Sequence, residues 1–277
     1  MKIRKFIKRA VTAIIVIAII AVGMNIYFDR AVTADFEKSV SASDGKEFYL
    51  TAHRGLSAIA PENTCAAIEE AGKAGFYSAE FDIRPTKDGV WVIMHDETLD
   101  RTTNATGNVS DYTYEQLLEF DIDSGNGIEK YSGIKIEKFE DALAVCEKYG
   151  MRATVEIKGG EPEDMAKVLE LIKSVNLNIK PLIIDFNSDR LAAIRALDGE
   201  IELLYLMNKI DDEKIAFAKE NNTAIGFNFG KLRNYAKIND AKEAGITLSS
   251  WTVDYVPVAD VLISLGVKYI TTNRILP

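Results

Sequence analysis

From Phe48 onward, short apolar runs alternate with longer amphipathic stretches. The runs occupy 48–53, 77–83, 152–158, 181–186, 201–207, 223–229, 246–252 and 268–272. Between most of them lie patterns of helical period: 61–74, 139–149, 162–175, 188–197, 211–221, 232–244 and 256–265. Gly75, Gly150, Gly245 and Gly266 stand where four of these helices should end, since glycine enters the left-handed conformation of a helix C-terminus at little cost. Eight strands alternating with helices predict a parallel sheet, and eight such units predict its closure into an α/β (β/α)8 TIM barrel. One further apolar run, 90–95, follows Asp88-Gly89, a tight-turn signal, and reads as a hairpin partner of the second strand. The segment 96–136 lacks either period. It reads as a loop insertion with one short helix near 114–120, placed over the barrel mouth.

The first 46 residues have a different pattern. Residues 1–9 are basic and 10–28 are apolar. At about 1.5 Å per residue, that run matches a hydrocarbon core of roughly 30 Å. The expected organisation is a cytoplasmic basic segment and transmembrane anchor (1–28), a polar linker (29–46) and the barrel (47–277). The positive flank keeps the N-terminus in the cytoplasm, so the catalytic domain of this single-pass cell-membrane protein should be extracytoplasmic. Cleavage after Val32-Thr33-Ala34 is the alternative.

Charge narrows the partners. The net charge is −9, and the basic residues are concentrated at the start: from residue 31 on there are 27 Lys and Arg against 41 Asp and Glu. An acidic domain lacks the footprint that nucleic acid requires, but can still hold a small phosphate compound at a cation. Cys65 and Cys146 are the only cysteines, both on predicted helices, and read as buried thiols.

Candidate chemistry gathers in one stretch, 50–103, which holds both histidines of the chain, His53 and His95. Glu80 and Asp82 are two apart on a predicted strand and so share a face. Side by side on an apolar strand they repel each other, and a hard divalent cation relieves the repulsion. Solvated carboxylates on an edge strand are the plain alternative. A two-residue turn after the second strand would set His95 opposite Asp82 or Glu80, on the carboxylate face. A three-residue turn would send it to the other face. Active sites of such barrels lie at the C-terminal strand ends. There the sequence offers His53 and Arg54, then Glu156 and Lys158 on one face, Asp185, Asn228, Trp251, Asp254 and Asn273.

The order His53-Arg54-Gly55, Pro61-Glu62-Asn63-Thr64, Glu80-x-Asp82, Thr86-Lys87-Asp88-Gly89, His95-Asp96 and Arg101-Thr102-Thr103 resembles the glycerophosphodiester phosphodiesterase family. With Glu156-x-Lys158, Trp251-Thr-Val and Asn273-Arg274 the resemblance extends from about Phe48 to Arg274. It departs at Asp185, where a serine is expected, at Glu137-Lys138, and at Ile275, where a proline is expected. The resemblance implies metal-dependent cleavage of glycerophosphodiesters to sn-glycerol 3-phosphate and an alcohol. Glu80, Asp82 and Glu156 would hold one Mg2+ or Ca2+, and His53 and His95 would form the acid–base pair. Arg54 and Lys158 would bind phosphate, Trp251 would line the alcohol end, and Glu62 and Asn63 would border the site. Two alternatives keep the scaffold: the same chemistry on lysophospholipids or teichoic acid glycerophosphate chains, and a catalytically inactive binding module.

Overall fold

The computed structural model describes residues 47–277 apart from Ser132. Within them eight parallel strands close into a barrel, as the alternation predicts. They are β1 (Tyr49–Ala52), β2 (Ser78–Pro85), β4 (Arg152–Ile157), β5 (Leu182–Asp185), β6 (Glu202–Met207), β7 (Thr223–Asn228), β8 (Leu248–Trp251) and β9 (Tyr269–Thr272). β1 pairs with both β2 and β9, which closes the ring. The strand β3 (Trp91–Ile93) runs antiparallel along β2. The expected membrane anchor and linker lie outside the described residues. Among those described, no helix is long and apolar enough to cross a membrane.

Helices α1 (Cys65–Lys73), α3 (Phe139–Lys148), α4 (Met165–Ser174), α5 (Ser188–Leu197), α6 (Asp212–Glu220), α7 (Ile238–Glu243) and α8 (Val256–Ser264) cover the barrel, and α2 (Tyr114–Leu117) lies in the insertion. All four helix-ending glycines have positive φ. Three helices begin later than the apolar period suggests, one of them α4, where a 3-10 turn, Pro162–Asp164, takes the first three positions. α1 starts at Cys65 and not at Pro61, because Thr64 caps it and Asn63 is left-handed (φ +51°). In 232–244 a 3-10 turn, Leu232–Ala236, precedes α7. Its cause is the fully buried Asn234, whose amide donates to the carbonyls of Asn208 (3.0 Å) and Asn228 (3.0 Å) and accepts from the Ile210 N–H (2.9 Å). With every side-chain polar atom bonded inward, the segment is fixed to the ends of β6 and β7 and cannot lie back as one helix.

The hairpin corrects the expected register. Thr86 N–H donates to the Val90 carbonyl (2.8 Å), so Lys87, Asp88 and Gly89 form a three-residue loop. Ile83 then pairs with Ile93, and Met94, not His95, bonds to Asp82. The insertion packs against the hairpin. It builds a small apolar core of its own around Leu99, Val109, Leu117 and Ile122 against Val92 and Met94, and Asn126 anchors it to the Ser57 carbonyl (2.7 Å). It flanks the mouth, and none of its residues from 97 to 136 lines the barrel pocket. At the opposite end the rings of Tyr49, Tyr77 and Tyr269 stack, with centroids 4.1–6.4 Å apart, above the buried Arg152. These rings and the guanidinium pack together at the N-terminal end of the strands.

Gly55 has φ +73°, and a Cβ there would lie 2.5 Å from the Ala67 backbone carbon. Gly55→Ala is expected to cost roughly 1–3 kcal/mol through overpacking and strain. Thermal unfolding should show a Tm several degrees lower, and an unchanged Tm would refute the close approach.

Candidate active site

The pocket has a volume of about 130 Å³, and its wall includes His53, Arg54, Glu80, His95, Glu156, Lys158, Phe186 and Trp251. Asp82 completes the set from beneath: oxygens of Glu80, Asp82 and Glu156 all lie within 4.8 Å of one another. Thus all eight residues singled out from the sequence meet at one place. His95 arrives by an unexpected route. The three-residue loop would have turned it away, but β3 stops at Ile93 and the chain bends. The Arg84 guanidinium holds the bend by donating to the His95 carbonyl from Nε (3.0 Å) and Nη2 (2.9 Å). Its Nη1 donates to the Lys158 carbonyl (3.0 Å), so one side chain ties the histidine bend to the end of β4.

Burying three carboxylates together requires compensation, and it is visible. Asn63 clamps Asp82, its amide donating to Oδ2 (2.8 Å) and accepting from the Asp82 N–H (2.9 Å). Its left-handed backbone makes that reach possible. The Arg54 N–H donates to Glu80 Oε2 (2.8 Å), and Arg54 Nε lies 3.6 Å from Asp82 Oδ2. Lys158 Nζ lies 2.5 Å from Glu156 Oε1 and 3.4 Å from Asp82 Oδ1. Even so, the buried Glu80 Oε1 has no hydrogen-bond donor, and Asp82 Oδ1 and Glu156 Oε1 share the single ammonium group of Lys158. Burial and the neighbouring carboxylates hold Glu80 well above the usual range, and the same causes push Glu156 up to about 8. Three buried carboxylates with converging oxygens and one ammonium group among them are left with excess negative charge, which a hard divalent cation takes, so the residues fit Mg2+ or Ca2+.

Each imidazole is oriented from behind. His53 Nδ1 is 2.8 Å from Asn273 Oδ1, and Asn273 Nδ2 donates to Asp254 Oδ2 (2.7 Å). The amide oxygen must therefore accept, which puts the proton of neutral His53 on Nδ1 and leaves Nε2 facing Glu80, 4.0 Å away. His95 Nδ1 is 2.6 Å from Asp96 Oδ1, leaving its Nε2 free likewise. Asp96 is gripped by Arg101, Arg101 by Glu62, and Glu62 by Arg54, so the two histidine loops are joined across the mouth. Burial lowers the pKa of both histidines, helped at His53 by the Arg54 charge.

Three strand-end residues do not offer free ligands. Asp185 is fully buried and bound by Arg190 through Nε (2.6 Å) and Nη2 (2.8 Å). Asn228 accepts from the Gly230 N–H, and Asp254 serves Asn273. Arg84 escaped the sequence reading altogether. Asn273 and Asp254 were visible as polar strand ends, but only the closed barrel brings Asn273, 220 residues away, onto His53.

Known proteins are similar to this chain in sequence and fold. Residues 53–276 match the model of the glycerophosphoryl diester phosphodiesterase family. The chain belongs to that family. It is 32% identical over 229 residues, covering 81% of this chain and 93% of the relative, to a glycerophosphodiester phosphodiesterase of Caldanaerobacter subterraneus subsp. tengcongensis. Its fold is similar to that of an Oleispira antarctica phosphodiesterase solved with the product sn-glycerol-3-phosphate (TM-score 0.77, 28% identity, 82% of this chain and 93% of that one). A Parabacteroides distasonis glycerophosphodiester phosphodiesterase shares the fold at 24% identity, with a TM-score of 0.70 over 82% of this chain and 93% of that one.

Two outcomes follow for the phosphodiesterase site. A carboxyl group whose folded pKa is raised binds more protons in the folded chain than in the unfolded one, so its contribution is favourable below the unfolded value of 4.5 and is lost as pH rises through the folded value. Without metal, stability from Glu80 and Glu156 should therefore fall between about pH 4.5 and 8, and a cation that displaces those protons should restore it. The rise in Tm on adding Ca2+ or Mg2+ to chelated protein should be larger at about pH 8.5 than at about pH 5.5. An equal rise at both would contradict the cluster. Arg84→Ala should lower kcat about 10- to 100-fold by releasing the His95 bend, with partial recovery on adding guanidinium ion. Loss of activity without recovery would mean that Arg84 supports only the fold.

Proposed function

We propose that the protein hydrolyses glycerophosphodiesters to sn-glycerol 3-phosphate and an alcohol, with one Mg2+ or Ca2+ held by Glu80, Asp82 and Glu156. The observation that carries this reading is the carboxylate cluster set below two imidazoles whose Nε2 atoms are both unengaged. When bound, the cation offsets the negative charge that grows on the phosphate oxygens. Arg54 and Lys158 add to that offset, Lys158 as a point charge and Arg54 through its planar fork. One imidazole removes the proton of the attacking hydroxyl at Nε2, and the other delivers a proton to the departing alkoxide. Lowered pKa values favour the neutral form required of the base. The attacking hydroxyl is water or the substrate's own glycerol hydroxyl. Trp251 and Phe186, packed edge to face with centroids 5.5 Å apart, line the same pocket and suit a carbon-rich segment.

The apolar run 10–28 would anchor this catalytic domain to the membrane, with the N-terminus cytoplasmic and the barrel outside. A binding-only role is the poorer reading, because both imidazoles and all three carboxylates are retained.

The test is release of glycerol 3-phosphate from glycerophosphocholine by the full chain in neutral detergent, with chelator, Mg2+ or Ca2+. Activity should depend on metal and fall by roughly 10³-fold or more in His53→Ala and Glu80→Gln. Folded, metal-loaded protein that releases nothing would sink the proposal.

A further inference from the structure

Glu137 is one of the positions at which the chain departs from the family pattern, and it stands where the insertion ends, just before α3. Its side chain reaches across to α1. That helix has no acidic residue in its first turn, and the side chain of its cap, Thr64, serves the Ala67 N–H. The Cys65 N–H at the helix start needs another acceptor, because the first N–H groups of a helix have no partner within it. Glu137 Oε2 takes it at 2.6 Å, from 72 positions away in the chain. A carboxylate there also meets the positive end of the helix dipole. Burial raises the Glu137 pKa, and the bonds from the Cys65 N–H and thiol oppose the rise.

The backbone of the same residue is engaged on its other side. The Glu137 carbonyl accepts the Ile93 N–H (3.0 Å), and Lys138 bridges Val92, so this stretch runs antiparallel to β3. Glu137 therefore joins two segments that meet again at Asp82. From Cys65 the chain leads back through Thr64 to Asn63, whose amide accepts the Asp82 N–H and donates to the Asp82 carboxylate. From Ile93 it leads on to Met94, whose N–H donates to the Asp82 carbonyl (2.9 Å). The path closes: Asp82, Asn63, Cys65, Glu137, Ile93, Met94 and Asp82 again. Its β3 side needs only the Glu137 carbonyl, which any residue provides. Its α1 side depends on the Glu137 side chain.

We propose that Glu137 is a positioning residue of the active site. Its carboxylate holds the start of α1 against β3 and thereby fixes the left-handed Asn63, which aims the Asp82 carboxylate at Glu80 and Glu156. Without an acceptor at 137 the first turn of α1 loses a bond, the Asn63 turn loosens, and Asp82 loses its fixed aim. Glu137 touches neither cation nor substrate and acts only through this ring. The effect on activity rests on the metal site of the proposed function, and deepens that reading. The ring itself is a property of the chain with or without a cation.

The experiment compares the full chain in neutral detergent as wild type, Glu137→Ala, Glu137→Gln and Asp211→Ala. Asp211 caps α6 by accepting the Lys214 N–H (3.1 Å) and lies outside the pocket wall, so its loss is the control for a weakened helix start. In chelated protein, amide hydrogen exchange at Asp82 should be about ten-fold faster in Glu137→Ala and unchanged in Asp211→Ala. The Ca2+ concentration at which the rise in Tm is half complete should be about ten-fold higher in Glu137→Ala, the range reached when partners of metal ligands are removed. Release of glycerol 3-phosphate at one limiting Ca2+ concentration should fall in step. Glu137→Gln keeps an acceptor oxygen and should restore most of each readout. Equal effects of Glu137→Ala and Asp211→Ala would reduce Glu137 to a helix cap and overturn the proposal. So would a Glu137→Gln variant as impaired as Glu137→Ala, since an acceptor oxygen would then not be what holds the ring. If the wild type shows no response to Ca2+, the metal reading fails, and the exchange rate at Asp82 still decides whether Glu137 fixes it.

Discussion

Three carboxylates share the buried mouth of this barrel, and most of the local architecture answers their mutual repulsion. A carboxylate taken from water without compensation costs several kcal/mol. Here each is compensated by a different device: a backbone N–H for Glu80, a left-handed asparagine for Asp82 and an ammonium group for Glu156. The compensation stops short, because Glu80 Oε1 has no donor, Asp82 and Glu156 share one ammonium group, and the pKa of Glu80 and of Glu156 rises. A site arranged only for stability would have replaced the cluster with apolar side chains, as the β5–β7 side of the same barrel does. Incomplete satisfaction at a converging point suits a divalent cation.

Holding such a cluster requires rigid strand ends, and two arginines supply the rigidity. Arg84 binds the carbonyls of His95 and Lys158, while Arg190 binds those of Ile157 (3.1 Å) and Gly160 (3.2 Å) together with Asp185. The turn after β4 is thereby fixed from both sides. Lys158, the one flexible cation that must stay close to two carboxylates, is mounted on it. The departure of Asp185 from the serine of the family pattern finds its reason here: the carboxylate has become the counter-charge of a structural guanidinium and no longer belongs to the pocket rim.

The barrel was legible because its signal is repeated: each strand is a short apolar run, each helix has the 3.6-residue period, and eight copies leave few other topologies. The carboxylate face was legible for a local reason, the two-residue spacing of Glu80 and Asp82 and of Glu156 and Lys158. What failed was register, and where some helices begin. The turn at Asp88-Gly89 takes one more residue than its dipeptide suggests, because the Thr86 hydroxyl accepts from the Val90 N–H (3.0 Å) and stabilises the wider loop. Asn63 and Asn234 interrupt helical periods for the same underlying reason: a buried amide with all its partners fixed outweighs the weak preference of a few residues for a helix. Contacts such as His53 with Asn273 leave no trace in spacing, since they exist only after the ring of strands closes.

The two histidines are similar in exposure but not in what stands behind them. His53 is backed by a neutral amide and lies beside the fixed charge of Arg54, so burial and that charge outweigh the Asn273 hydrogen bond and the more distant Asp254, which favour the imidazolium. His95 is backed by a carboxylate, which favours it. Yet that carboxylate is shared: Arg101 holds Asp96 in two hydrogen bonds, at 2.6 and 3.1 Å, and keeps it well below the usual carboxylate range. Arg101 in turn is held by Glu62, which also grips Arg54. The charge near His95 is therefore divided along a chain that ends beside His53 and Asp82. A change at the surface end of that chain reaches both imidazoles through ion pairs alone, so the positions and charges of the acid–base pair are set jointly and not one residue at a time.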